Sequence, residues 1–153
     1  MATTVTAANL TVTISEQYTL NGVSYGNTMN KTFSDNGEVY QRVMAIPVGT
    51  EGAYYTDIIN FGAADTAGQA DITNYKYFRI KNLDDTNFLT LRVKGTTDSF
   101  FIKIKAGESF LLMDNEIDAI ASSTSFGAFT DISQISADAN TDGVDIEFIA
   151  VTG

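Results

Sequence analysis

The run Asp138-Ala-Asn140-Thr-Asp142-Gly143-Val-Asp145 sets side-chain oxygens at alternate positions just ahead of a glycine. Calcium loops use this spacing: Asp, Asn and Asp at the first, third and fifth positions converge on a hard cation, and the following glycine allows the sharp turn. The twelfth position, where such a loop carries a bidentate glutamate, is Ile149. Asp138, Asn140, Asp142 and Asp145 are therefore candidate calcium ligands only in a loop of different geometry. The same residues suit a plain turn between two strands, because Asp, Asn and Gly are what turns use. Asp114, Glu116 and Asp118 form a second alternating acidic cluster with no glycine turn, and it reads as a solvated strand face.

Other chemistry is narrowed by what is missing. The 153 residues include no histidine and no cysteine. Histidine triads, imidazole or thiolate metal sites, thiolate nucleophiles and disulfides are excluded. Paired carboxylates remain open for glycoside hydrolysis, yet nothing among the 19 acids singles out a pair and no Trp is present to line a sugar cleft. Ser109, in Gly107-Glu108-Ser109, lacks the second glycine of a nucleophile elbow. Phosphate-cradling glycine loops are absent too. The expectation is a protein that is not an enzyme and carries no cofactor, with calcium as the one ion the sequence raises.

Charge is segregated. The net charge of −10 argues against coating nucleic acid, which requires a cationic surface. Residues 1–75 carry seven acids and two bases, residues 76–105 three acids and seven bases, and residues 106–153 nine acids and no base. In the basic stretch the cations alternate with apolar residues. Phe78 and Ile80, then Leu89, Leu91 and Val93, then Phe100, Ile102 and Ile104 take one parity; Arg79, Lys81, Arg92, Lys94, Lys103 and Lys105 take the other. If the three segments pair as a meander, those six cations share one outer face with Tyr77, Phe88 and Phe101. Such a face is solvated, or an interface with acidic surface, for example the acidic C-terminal third of a neighbouring copy, or a nucleic-acid surface, which the aromatics fit but the overall charge does not.

These residues are positioned by strands. Leu10, Val12 and Ile14 alternate with Thr11, Thr13 and Ser15, and Asn21-Gly22 is a strong hairpin turn between Tyr18–Leu20 and Val23–Tyr25. Gly26-Asn27 closes that arm, with Thr28 to Phe33 continuing after a bulge. Asp35-Asn36-Gly37 reads as a turn into Glu38–Ile46, where Val39, Val43 and Ile46 are expected to be buried and Pro47 ends the strand. Ala53 to Phe61, Ser109–Leu112, a weaker Ile117–Ala121, Ile132–Ala137 and Val144–Val151 complete the set. Tyr54 and Tyr55 are candidate sugar platforms. Short strands, frequent turns and no amphipathic helix indicate an all-β chain: one antiparallel β-sandwich domain over residues 1–153, a jelly roll of about eight strands. No apolar run is long enough to span a membrane. Met1–Thr6 lacks the features of a signal peptide, so synthesis in a cytoplasm is expected.

Five stretches recur together: Thr19-Leu-Asn-Gly22, Asn36-Gly-Glu-Val-Tyr-Gln-Arg-Val43, Phe78-Arg-Ile-Lys-Asn-Leu-Asp-Asp-Thr-Asn87, Ala106-Gly-Glu-Ser-Phe-Leu-Leu112 and Val144-Asp-Ile-Glu-Phe-Ile-Ala-Val151. In that order they resemble small virion structural proteins of tailed bacteriophages, particularly those of marine cyanobacterial phages. The motifs are strand-and-turn signatures and bring no functional residues with them. The resemblance implies a jelly-roll-like sandwich in the virion, as a capsid decoration (cement) protein bound to the major capsid protein or other virion proteins and to its own copies. Its alternative is a tail, neck or fibre module that recognises host-surface glycan, with calcium as an optional partner.

Overall fold

Period-two alternation governs the backbone throughout the computed structural model, which describes residues 6–49, 55–64, 66–118 and 129–153. The strands are β1 (Ala8–Leu20), β2 (Val23–Asn36), β3 (Glu38–Ile46), β4 (Thr56–Gly62), β5 (Ala70–Asp71), β6 (Tyr75–Asn82), β7 (Leu89–Gly95), β8 (Ser99–Ile104), β9 (Ser109–Leu112), β10 (Glu116–Ile117), β11 (Thr130–Ala139) and β12 (Val144–Thr152). Among the described residues there is no helix.

Two sheets form the body. One runs β3-β12-β6-β9; the other runs β5-β4-β11-β7-β8, with β10 also paired to β11. Setting aside the two-residue strands β5 and β10, the first sheet takes the first, eighth, third and sixth body strands and the second takes the second, seventh, fourth and fifth. This interleaving is the jelly roll, two Greek keys folded face to face. Pairing is antiparallel except for the short β4–β5 contact. The all-β sandwich expected from turn spacing and strand length is what the chain forms.

The core lies between the sheets. Val144, Ile146, Phe148 and Ala150 of β12 meet Leu89, Leu91 and Val93 of β7 and Ile135 and Ala137 of β11 in one apolar cluster. Phe78 and Phe148 stack with ring centroids 6.2 Å apart. Only Ile46 of the three residues expected to be buried in β3 is so; Val39 and Val43 are 61% and 62% exposed. The register explains it. Ile46 has even parity and faces the core with Tyr40 and Met44, whereas the odd positions of this edge strand look outward.

The basic stretch does not form a meander. β7 and β8 are a hairpin closed by the Gly95 amide on the Asp98 carbonyl (2.8 Å), but β6 belongs to the opposite sheet. Asp84-Asp85-Thr86-Asn87, which reads as a hairpin turn, is a connection between sheets. Asn82, fully buried, organises it: its Nδ2 donates to the Asn87 and Ile104 carbonyls at 2.9 and 3.3 Å, and its Oδ1 accepts from the Asp84 amide at 2.9 Å. The Asp84 carboxylate accepts the amides of Asn87 and Thr86, which hold its pKa below the usual carboxylate range.

β1 and β2 belong to neither sheet. They form a single continuous hairpin ribbon paired from Ala8–Asn36 to Leu20–Val23, and the only register shift lies at its root between Ala8 and Leu10. The bulge expected after Gly26-Asn27 is absent. Asn21 and Gly22 hold φ of 49° and 78°, the double positive φ of a type I′ turn. Asp35-Asn36-Gly37 is the ribbon's root, with no hairpin between β2 and β3. Asp35 sits at φ 56°, and the Asn36 amide group donates to the Ala8 and Phe33 carbonyls at 2.7 and 2.9 Å.

Candidate functional site

Three of the four residues proposed for calcium have a side-chain oxygen engaged by a backbone amide. The Asp138 carboxylate accepts the Gly49 amide at 2.5 Å, the Asn140 side-chain carbonyl accepts the Phe88 amide at 3.1 Å, and the Asp142 carboxylate accepts the Gly143 amide at 2.8 Å. Asp145 sits in β12 with outward parity, opposite Ala45. These bonds tie the β11–β12 turn to the loops after β3 and before β7. Among the described residues no three acidic groups converge as a metal site would need. The Asp-Asn-Asp-Gly spacing serves a turn, and the calcium reading of Asp138, Asn140, Asp142 and Asp145 is set aside on that geometry. In the acidic cluster, Asp114 accepts the Glu116 amide at 3.1 Å.

The six cations are divided between the two outer faces of the sandwich, which point in opposite directions. Arg79 and Lys81 lie on the β3-β12-β6-β9 sheet, where Arg79 pairs with Glu147. Arg92, Lys94 and Lys103 lie on the β7–β8 face, with Lys105 exposed just past the end of β8. Here the cations rest on rings. The Lys103 ammonium lies 3.7 Å from the Phe88 ring centroid, and the Arg92 guanidinium 5.6 Å from that of Tyr55, which itself packs 5.8 Å from Phe101. Cation–π contacts of this kind stabilise exposed sites by about 0.5–1 kcal/mol. Tyr55 is thereby occupied, and Tyr54 lies outside the described residues. The expected single basic patch fails because alternation reports which side of its own sheet a residue takes and not which sheet the strand joins.

The surface with the most unusual chemistry is the ribbon. At about 3.3 Å per residue its 13-residue strand is about 40 Å long. Parity sorts its side chains into a polar and an apolar face, except that the Val12–Lys31 and Glu16–Asn27 pairs put Lys31, Glu16 and Asn27 on the otherwise apolar one. One face pairs Thr11 with Thr32, Thr13 with Asn30, Ser15 with Thr28 and Thr19 with Ser24, and three of these pairs hydrogen-bond at 3.2, 2.8 and 3.2 Å. The other face pairs Leu10 with Phe33, Ile14 with Met29, Tyr18 with Tyr25 and Leu20 with Val23.

The proximal part of this apolar face is docked on the body. Phe33 lies 6.2 Å from Tyr77, Leu10 lines an apolar crevice with Val39, Ile149 and Val151, and Val12 lines another with Met113. Tyr77 and Val151 point outward from the sheet, yet they are 4% and 1% exposed and lie outside the inter-sheet cluster. Burial raises the Tyr77 pKa. The distal part is open: Tyr18, Leu20, Val23, Tyr25 and Met29 are 44–57% exposed.

The sequence contains the signal for this arm. Twenty-nine residues alternate about one Asn-Gly, with hydroxyl and amide side chains on one parity and aliphatic or aromatic ones on the other, Glu16, Asn27 and Lys31 excepted. Strands of 13 and 14 residues exceed the usual five or six, and a pair that long without a third strand must project.

Compared with known proteins, the chain matches no family model, no curated protein and no solved structure.

Proposed function

We propose that this chain is a structural component of a tailed-bacteriophage particle, a capsid decoration protein that reinforces the head shell through protein–protein contacts and performs no chemistry. The ribbon is the observation that carries the reading. An apolar face exposed over this length is unfavourable in water, and patches of that kind mark surfaces that another molecule covers. Its aliphatic and tyrosine side chains suit a protein partner such as the major capsid protein, since aromatic anchors dominate such interfaces.

The resemblance of the strand-and-turn motifs to those of phage virion proteins supports a place in the particle. The jelly roll is compatible with it, being common in capsid proteins, but lectins use the same sandwich, so the fold alone does not choose. Against the glycan-reading alternative stand the oxygens of the β11–β12 turn, which are engaged by backbone amides, and Tyr55, which lies beneath Arg92.

Cryo-electron microscopy of purified particles tests the proposal. The expected result is jelly-roll density seated on the head shell with the ribbon against a neighbouring subunit. Absence of the chain from mature particles overturns it.

A further inference from the structure

We infer that the distal half of the ribbon docks onto a second copy of this chain, on the outward face of that copy's β3-β12-β6-β9 sheet around Val39 and Val43. The inference extends the protein-contact reading above, but it rests on different observations.

The fold itself displays what the ribbon's apolar face fits. Its proximal half lies on the outward side of the β3-β12-β6-β9 sheet and buries Tyr77 and Val151 there. That outward side continues beyond the covered part. Val39 stands opposite Val151, Gln41 opposite Ile149 and Val43 opposite Glu147; Val39 borders the crevice that Leu10 lines, yet it and Val43 remain 61% and 62% exposed. The distal ribbon repeats the proximal chemistry, with Ile14 beside Met29, stacked Tyr18 and Tyr25, and Leu20 beside Val23, broken by Glu16 opposite Asn27 as the proximal part is by Lys31 opposite Val12. One molecule thus carries a free stretch of ribbon and a free stretch of the surface that such ribbon covers.

Direction agrees as well. The ribbon's apolar side faces its own sheet, and the sheet's outward side faces the ribbon. The ribbon meets Met113, which follows the edge strand β9, at Val12, Ile14 and Met29, where its distal half begins. A neighbour set beyond β9 in the same orientation therefore turns its Val39–Val43 face toward the incoming arm. Giver and receiver surfaces differ, so the contact is heterologous, each copy makes it twice, and repetition closes a ring or extends a filament.

Charge points to the arm as the way two such acidic chains can meet. Each copy carries −10, and bodies of like charge repel. Beyond its root the distal ribbon, residues 14–29, holds a single charge, Glu16, which stands on the docking face opposite Asn27. At the receiving face Glu147 is already paired with Arg79. The association is therefore apolar in drive and opposed by long-range repulsion, and added salt strengthens it by screening that repulsion.

Sedimentation of the purified full-length chain across concentration, in about 0.15 M and about 0.5 M salt, tests the inference. Self-association that tightens at the higher salt is expected. Tyr18→Ser with Leu20→Ser removes the giving surface, and Val39→Ser with Val43→Ser removes the receiving one. All four residues are exposed and outside the core, so the melting curve of the body should remain that of the parent chain. Each double variant alone should associate at least about tenfold more weakly. Mixed together, the two variants should form dimers and nothing larger, because one intact junction remains per pair. A chain that stays monomeric at every concentration, or that associates equally well with both double variants, overturns the inference. So does a mixture that fails to form dimers. A chain that is monomeric in solution yet seated on the shell by its ribbon overturns self-docking alone and leaves the structural role standing.

Discussion

Tyr18 and Tyr25 stack across the two strands of the ribbon with ring centroids 5.1 Å apart and planes inclined by 12°. They lie one pair of residues from the Leu20–Val23 pair beside the turn, on the face opposite the threonine ladder. An offset pair of this kind is worth about 0.5–1.5 kcal/mol beyond the area it buries. Here that energy serves only the ribbon, because the distal side chains have no second layer.

Tyr18→Ala should consequently loosen the ribbon and spare the body. Amide hydrogen exchange is expected to quicken along the distal ribbon while β12 keeps its protection, because local opening need not involve global unfolding. The global unfolding free energy should move by less than about 0.5 kcal/mol.

Phe78→Ala tests the opposite location. Phe78 is fully buried and stacked on Phe148, so truncation leaves a cavity between the sheets. A loss of about 3–5 kcal/mol is expected from denaturant melts. A change below about 1 kcal/mol would show that the site collapses to fill the space.

That inward row was legible in the sequence, and so was the sandwich. Phe78 and Ile80, the odd positions of β7 and the even positions of β12 all face the core as their alternation indicates. Sheet membership was not legible. Asp84–Asn87 has the composition of a hairpin turn, and only the Asn82 hydrogen bonds reveal it as a passage from one sheet to the other. The basic patch was lost with that passage. Val39 and Val43 were misread because a strand's apolar odd positions look like core until a second layer, or its absence, is known. Asp138 to Asp145 was ambiguous for a chemical reason: the oxygens that bind calcium are the same oxygens that cap turn amides.

Tyr75 gives the fold an alkaline limit. Burial, with Asp114 and Tyr77 adding to it, pushes its phenol far above the ordinary value of 10.0, and its hydroxyl donates to the Leu112 carbonyl at 2.8 Å. The folded state favours the protonated form, so this contribution is fully present below the unfolded pKa of about 10 and declines as pH rises beyond it. Stability measured between pH 9 and 12 should fall, with a slope of up to about 1.4 kcal/mol per pH unit from this group. Tyr75→Phe should flatten the slope at the cost of about 1 kcal/mol at neutral pH, since the Leu112 carbonyl loses its donor.

Calcium should leave the melting temperature where it is. A ligand that binds only the folded state must stabilise it in proportion to the logarithm of its excess, and Asp138, Asn140 and Asp142 each have an oxygen engaged by a backbone amide. Equal midpoints in millimolar calcium and in chelator are expected. A reproducible rise with calcium would restore a metal to that turn.

Breaking the Arg79–Glu147 pair should matter little to stability. Both side chains are more than a quarter exposed, at 28% and 29%. Arg79→Met should cost no more than about 1 kcal/mol after solvent screening.

The two-residue turn at Asn21-Gly22 has a further consequence. Surface turns ordinarily tolerate insertions, but this one sets how the two halves of the ribbon are aligned. One residue added there shifts one strand against the other by a single step, and a single step exchanges its faces. Tyr25, Val23 and Met29 would then join the threonines, while Tyr18, Leu20 and Ile14 stayed behind. No residue would be lost, yet the apolar side chains would be split between opposite sides of the arm. Viable changes at the tip should therefore be substitutions, or insertions in even steps.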